Sequence, residues 1–232
     1  LGADLEGEAY SDDSGLSVSL SADGTKVAIG AYGNDGTYSE AGHVRIYNYT
    51  PSGTASWTQL GADIDGEVYY QASSQSGHSV SLSADGTKVA IGAPKNKAGG
   101  NTAVGHVRIY NYTPSGTASW TQIGADIDGE ASNADNSGYS VSLSADGTKV
   151  AIGAPFSREG PKINSGRVRI YNYTPSGTAS WTQLGADING EADSDYSGRS
   201  VSLSGDGTKV AIGADYNDGA NGVDSGHVRA YL

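Results

Sequence analysis

The stretch SVSLSADGTKVAIGA occurs at Ser17–Ala31 and again, letter for letter, at Ser79–Ala93 and Ser140–Ala154. A fourth copy at Ser200–Ala214 differs only in having Gly205 where the others have Ala. The Asp of its turn falls at Asp23, Asp85, Asp146 and Asp206, at intervals of 62, 61 and 60 residues. Self-similarity at a fixed spacing marks a repeat architecture, in which a unit buries its apolar face only against a neighbour. The fold must therefore be one unit of about 60 residues built four times.

Within a unit, Ser17-Val18-Ser19-Leu20-Ser21 alternates as a half-buried strand does. Asp23-Gly24 supplies a tight turn into Lys26-Val27-Ala28-Ile29-Gly30-Ala31, whose small residues let a neighbouring sheet approach closely. After a variable loop, Gly42–Tyr49 reads as a third strand; the turn at Thr50-Pro51-Ser52-Gly53 leads to a fourth at Trp57–Ile64. Pro51 removes a backbone donor and suits a turn. No segment holds a 3.6-residue period, so no long helix is expected. Four antiparallel strands in tandem units are the blades of a β-propeller. The fold class is all-β, with blade units at 9–64, 68–127, 131–188 and 192–232 plus 1–5, forming a single domain over 1–232.

Lys and Arg number 14 against 26 Asp and Glu, a formal charge of −12, which argues against nucleic acid or an anionic membrane as partner. There is no cysteine, so neither disulfides nor thiolate metal sites contribute. No apolar run is long enough to span a bilayer as a helix. The sequence opens on Leu1, as a processed product or an excerpt does.

Gly138-Tyr139-Ser140-Val141 followed by Gly153-Ala154-Pro155 resembles the FG-GAP repeat of integrin α-subunit propellers and of many secreted microbial and algal proteins. The other units carry Gly15-Leu16-Ser17-Val18, Gly77-His78-Ser79-Val80 and Gly198-Arg199-Ser200-Val201 in the same place. The resemblance implies a propeller, an extracellular or cell-surface setting and a role in adhesion, structural assembly or protein–protein interaction. Calcium-binding members of that family carry an Asp-rich loop between the first two strands. Here Ser-Ala-Asp-Gly-Thr-Lys stands there with one carboxylate, too few oxygens for Ca²⁺, so the family's calcium site is not carried over.

Leu1–Leu5 aligns with Leu60–Ile64 of a fourth strand, and the chain ends in a third strand at Gly226–Leu232. Pairing these ends closes a ring without sheet edges, and that closure is the expectation. A part of a larger propeller, or a half that pairs with a second copy, shares the same phase.

Divergence is concentrated in the connections after the second and fourth strands, which leave an up-and-down blade on one face. Diversified loops on a rigid scaffold are where recognition resides. The candidate ligand residues there are Asp35, Tyr38, Tyr69, Tyr70, Lys95, Lys97, Arg158, Lys162, Tyr216 and Asp218. Spaced carboxylates before and after Gly at Asp63, Asp65 and Glu67 recur as Asp126, Asp128 and Glu130 and as Asp187 and Glu191. They are either self-capped turns or ligands for a hard cation such as Ca²⁺.

His43, His106 and His227 share one repeat position with Arg167, an interchange that reads as a polar strand edge rather than a ligand or base. Trp57, Trp120 and Trp181 read as packing residues, with sugar stacking as the alternative. Asn48, Asn111 and Asn172 open N-x-Thr glycosylation sequons, each followed by Pro. No nucleophile elbow or other catalytic constellation occurs, so no enzyme is expected. The expected partners are a protein or a glycan at the cell surface, with self-association, and the alternative function is a glycan-binding, lectin-like module on the diversified face.

Overall fold

The computed structural model describes residues 2–35, 39–51, 56–67, 73–97, 103–115, 118–130, 134–175 and 180–232. Those residues form strands, turns and loops, with no helix among them. Blade one holds β1 (Ser17–Leu20), β2 (Lys26–Ala31), β3 (His43–Thr50) and a fourth strand in two pieces, β4 (Ser56–Gln59) and β5 (Ile64–Asp65). Blade two repeats this as β6 (Ser79–Leu82), β7 (Lys88–Ala93), β8 (His106–Thr113), β9 (Ser119–Gln122) and β10 (Ile127–Asp128). In blade three, β11 (Ser140–Leu143), β12 (Lys149–Ala154) and β13 (Arg167–Thr174) are followed by one continuous strand, β14 (Ser180–Asn189), with a register shift between Val168 and Ile170. Blade four has three strands, β15 (Ser200–Leu203), β16 (Val210–Ala214) and β17 (His227–Tyr231). All neighbours are antiparallel and in sequence order, and the four sheets are arranged as a four-bladed β-propeller.

The inner hairpin owes its register to its turn. Gly24 takes φ 69°, while the Asp23 carboxylate accepts the Thr25 amide at 2.9 Å and the hydroxyls of Ser21 at 2.7 Å and Thr25 at 2.8 Å. The same cap forms at Asp85, Asp146 and Asp206.

The apolar cores lie between blades. Ala28, Val44, Ile46 and Ile64 of blade one pack on Val80, Leu82, Val89, Ile91 and Tyr110 of blade two, and the next two interfaces repeat the pattern. Glycine makes the approach close enough: a Cβ on Gly30, Gly92 or Gly153 would sit 2.0 Å from the carbonyl oxygen of Gly77, Gly138 or Gly198. Each interface also carries the same hydrogen bonds. Ser17, Ser79 and Ser140 donate Oγ–H to those glycine carbonyls at 2.7–2.8 Å. The amides of Ala22, Ala84 and Ala145 donate to the carbonyls of Ala84, Ala145 and Gly205 at 2.8 Å. Lys26, Lys88 and Lys149 reach the carbonyls of Asp85, Asp146 and Asp206 at 2.9–3.1 Å.

Among the described residues the expected closing pair is not formed. β17 pairs with β16 alone, and residues 2–5 belong to no strand. The interface hydrogen bonds run from blade one to two, two to three and three to four, and the corresponding set from blade four to blade one is absent among the described residues. Burial shows the consequence. Val18 and Leu20 are 63% and 60% exposed where Val80 and Leu82 are 8% and 7%. At the other end Val228 is 72% exposed, where Val44, Val107 and Val168 are at 0%. The four blades thus present two exposed apolar faces of opposite kind.

Candidate functional site

Three features stand out once the blades are in place. The first is a carboxylate pair set around the residue that opens the third strand in blades one to three. His106 on β8 is buried, with Nδ1 3.6 Å from Asp126 Oδ2 and 4.0 Å from Glu67 Oε2. His43 on β3 is placed likewise, 3.9 Å from Asp63 and 3.8 Å from Glu8. In blade three Arg167 takes this place, ion-paired with Glu130 and with its Nε 3.3 Å from Asp187 Oδ2. Gln59, Gln122 and Gln183 orient the three Asp carboxylates by donating Nε2–H at 2.5, 2.6 and 2.8 Å. Burial pushes His106 down to about 4, helped by the Arg108 cation and opposed by the Asp126 carboxylate, so the imidazole is neutral at neutral pH.

Sequence reasoning grouped Asp63, Asp65 and Glu67 as one motif, and likewise Asp126, Asp128 and Glu130. The structure divides each group. Glu67 leaves its motif with the crossing to blade two and meets Asp126, while Asp63 meets Glu8. Asp187 meets Glu130, and Glu191 faces His227 at 3.7 Å. Asp65 and Asp128 take no part through their carboxylates; instead their carbonyls accept Arg108 and Arg169 at 3.0 Å. His43 and His106, expected as polar strand edges, are buried rings facing acid, and His227 is half-buried beside Glu191. The column of His and Arg was visible in the sequence, but which carboxylates face it depends on the crossing between blades.

The second feature is an aromatic ladder on the diversified face. Rings of Tyr32, His78, Tyr139, Phe156, Tyr196 and Tyr216 follow one another with centroids 4.6–5.9 Å apart, crossing all four blades. Arg199 lies 5.4 Å from the Tyr216 ring. Of the residues expected to bind ligand, Tyr216 belongs to this ladder. Asp35, Lys95, Arg158 and Asp218 are exposed and Lys97 and Lys162 half-buried on the loops around it, while Tyr38, Tyr69 and Tyr70 lie outside the described residues. Two tryptophans serve interfaces: Trp120 and Trp181 donate Nε1–H to the carbonyls of Leu60 and Ile123 at 2.7 and 2.9 Å. Asn48, Asn111 and Asn172 are half-buried near the ends of third strands, each donating to the carbonyl of the next Tyr at 3.2–3.4 Å.

The third feature is the pair of unmatched blade faces. On blade four a cavity of about 380 Å³ opens among Ser200, Gly213, Ala214, His227 and Val228. In the internal interfaces the corresponding space receives the Gly77, Gly138 or Gly198 turn of the next blade.

Residues 189–231, which span the crossing into blade four and its three strands, match the sequence profile of the FG-GAP repeat. The match makes this stretch similar to an FG-GAP repeat. The inner hairpin within it recurs nearly unchanged in the other three units. No curated protein matches the chain. Among solved structures it is similar to a protein of Bacteroides uniformis named for a proposed 6-phosphogluconolactonase activity, at 12% identity and a TM-score of 0.54, covering 93% of this chain and 49% of the other. It is also similar to hydrazine synthase of Kuenenia stuttgartiensis, at 16% identity and a TM-score of 0.50, covering 92% and 57%. At such identities the likeness is one of fold, and this chain spans about half the length of either neighbour.

Proposed function

We propose that this chain is a non-enzymatic, extracellular or cell-surface propeller for adhesion or structural assembly, and that it joins copies of itself head to tail. The observation that carries this reading is the pair of open faces. Inside the chain the same two kinds of face meet three times, with one set of apolar contacts and hydrogen bonds. A second copy whose blade one rests on blade four repeats that contact: Ser200 Oγ would reach the Gly15 carbonyl, Lys209 Nζ the Asp23 carbonyl, and Val18 and Leu20 would cover Val228. Ala3–Leu5 of that copy, which align with Ala62–Ile64, would lie along β17 as its fourth strand. Such a contact is heterologous, so it closes into a ring or grows into a filament. The FG-GAP repeat and the net charge of −12 favour a secreted, soluble surface.

Complementation tests the geometry. Leu20→Glu spoils only the blade-one face and Val228→Glu only the blade-four face, and both side chains are exposed in a lone chain. Each variant alone should be monomeric, and their mixture should form a one-to-one dimer through the two intact faces. A mixture that stays monomeric while wild type associates would refute head-to-tail docking.

The aromatic ladder favours a second reading, a glycan-binding surface on the diversified face, since sugar rings stack on aromatic rings. A glycan array with no ligand, or a ligand whose binding survives Tyr216→Ala and Tyr139→Ala, would remove it.

A further inference from the structure

We propose that Glu67, His106 and Asp126, and in the preceding blade Glu8, His43 and Asp63, form two binding sites for a divalent cation of the zinc type. Each set offers one imidazole nitrogen and two carboxylate oxygens, with the donor atoms all within 4.8 Å of one another. Donors bonded to a tetrahedral zinc at about 2.0 Å lie about 3.3 Å apart, so the 3.6 and 4.0 Å separations around His106 Nδ1 need contractions of about 0.3 and 0.7 Å. Those separations are too long for hydrogen bonds, and Nε2 of both His43 and His106 has no partner. The protein therefore leaves Nε2 of these buried rings without a partner and sets Nδ1 beyond hydrogen-bond distance of both carboxylates. An ion on Nδ1 would join each ring to both of its carboxylates, with the ring proton held on Nε2.

Blade three gives an independent reason. There the carboxylates of Glu130 and Asp187 are bridged by the guanidinium of Arg167, a cation carried on a longer side chain. Where the shorter imidazole stands, the same two carboxylates face it across a gap. The position holds positive charge in blade three by sequence, and in blades one and two it leaves room for an ion. The outer shell is also prepared: Gln122 fixes Asp126 through Oδ1, leaving Oδ2 toward His106, and Asn96 Nδ2 donates to Glu67 Oε2 at 3.3 Å. Imidazole among the donors favours Zn²⁺ over Ca²⁺ or Mg²⁺, which prefer oxygen throughout. In blade four His227 meets Glu191 without a second carboxylate among the described residues, so it makes no complete set.

The test is zinc content after dialysis against Zn²⁺ and removal of free metal, with a parallel Ca²⁺ arm. Wild type should retain two zinc ions per chain, His106→Arg one, and Arg167→His three. Arginine is already the natural residue at this position in blade three, so His106→Arg preserves the fold, and a gain in Arg167→His cannot come from damage. Equal zinc content in all three proteins, no zinc retained, or retention of Ca²⁺ in preference to Zn²⁺ would overturn the assignment.

Discussion

Leu20 and Leu82 occupy the same place in the same SVSLS sequence, and only their surroundings differ. Leu82 is 7% exposed in the cluster between blades one and two, and Leu20 is 60% exposed on the open face of blade one. Truncating a well-packed leucine to alanine costs about 2–5 kcal/mol, from lost transfer energy and the cavity left behind. A largely solvated leucine loses little on the same change, below about 1 kcal/mol. In a chain of this length each kcal/mol shifts Tm by about 2–4 °C. Leu82→Ala should then lower Tm by roughly 4–20 °C and Leu20→Ala by no more than about 4 °C. Thermal melts followed by circular dichroism at submicromolar protein isolate the single chain. At high concentration, docking of a second copy buries Leu20, so the Leu20→Ala penalty should grow with concentration while that of Leu82→Ala stays fixed. Equal penalties at low concentration would mean that blade one is already covered within one chain, and the open-ended architecture would be wrong.

Other consequences follow from single contacts. Gly92→Ala places a Cβ 2.0 Å from the Gly138 carbonyl and should cost more than about 3 kcal/mol in urea unfolding. Gly213→Ala meets only the Ser200 hydroxyl side chain, so the lone chain should stay folded while light scattering shows association lost. The Asp23 carboxylate is held at about 2, first by the Thr25 amide and then by the Ser21 hydroxyl. A depressed carboxyl stabilises the fold above its unfolded value of 3.8 and loses that contribution as pH falls through about 2. The fall in Tm below pH 4 should be shallower in Asp23→Asn than in wild type; parallel curves would show the cap contributes nothing. Grafting the blade-three loop that carries Arg158 and Lys162 into blade one should alter partner binding if the diversified face is the recognition surface, and unchanged binding would point to the repetitive face.

Strands, turns and blade order were legible because each rests on local pattern. The alternation of Ser17–Leu20, the Asp23-Gly24 turn and the small residues Gly30-Ala31 fix a hairpin whose open side admits another backbone, and that is how Gly77 is met. The fourth strand was placed correctly but breaks between Gln59 and Ile64 in blade one, where Gly61 takes φ 80°, and runs unbroken in blade three. Repeat spacing could not decide closure, because it fixes the unit and not the angle between units. The carboxylates around His43 and His106 were hidden for a related reason. Each set joins a Glu that has crossed from the preceding unit to an Asp from the fourth strand of the next, so a motif contiguous in sequence is split in space. The interchange of His with Arg167 reads in the sequence as evidence against a ligand or base. In the fold it is two ways of placing a group between the same carboxylates.

The measurement that bears most directly on two complementary open faces is the solution mass of the wild-type chain by sedimentation, from submicromolar to hundreds of micromolar. The faces predict a mass that rises with concentration from 23.6 kDa to whole multiples of it. A mass fixed at 23.6 kDa throughout would contradict the account.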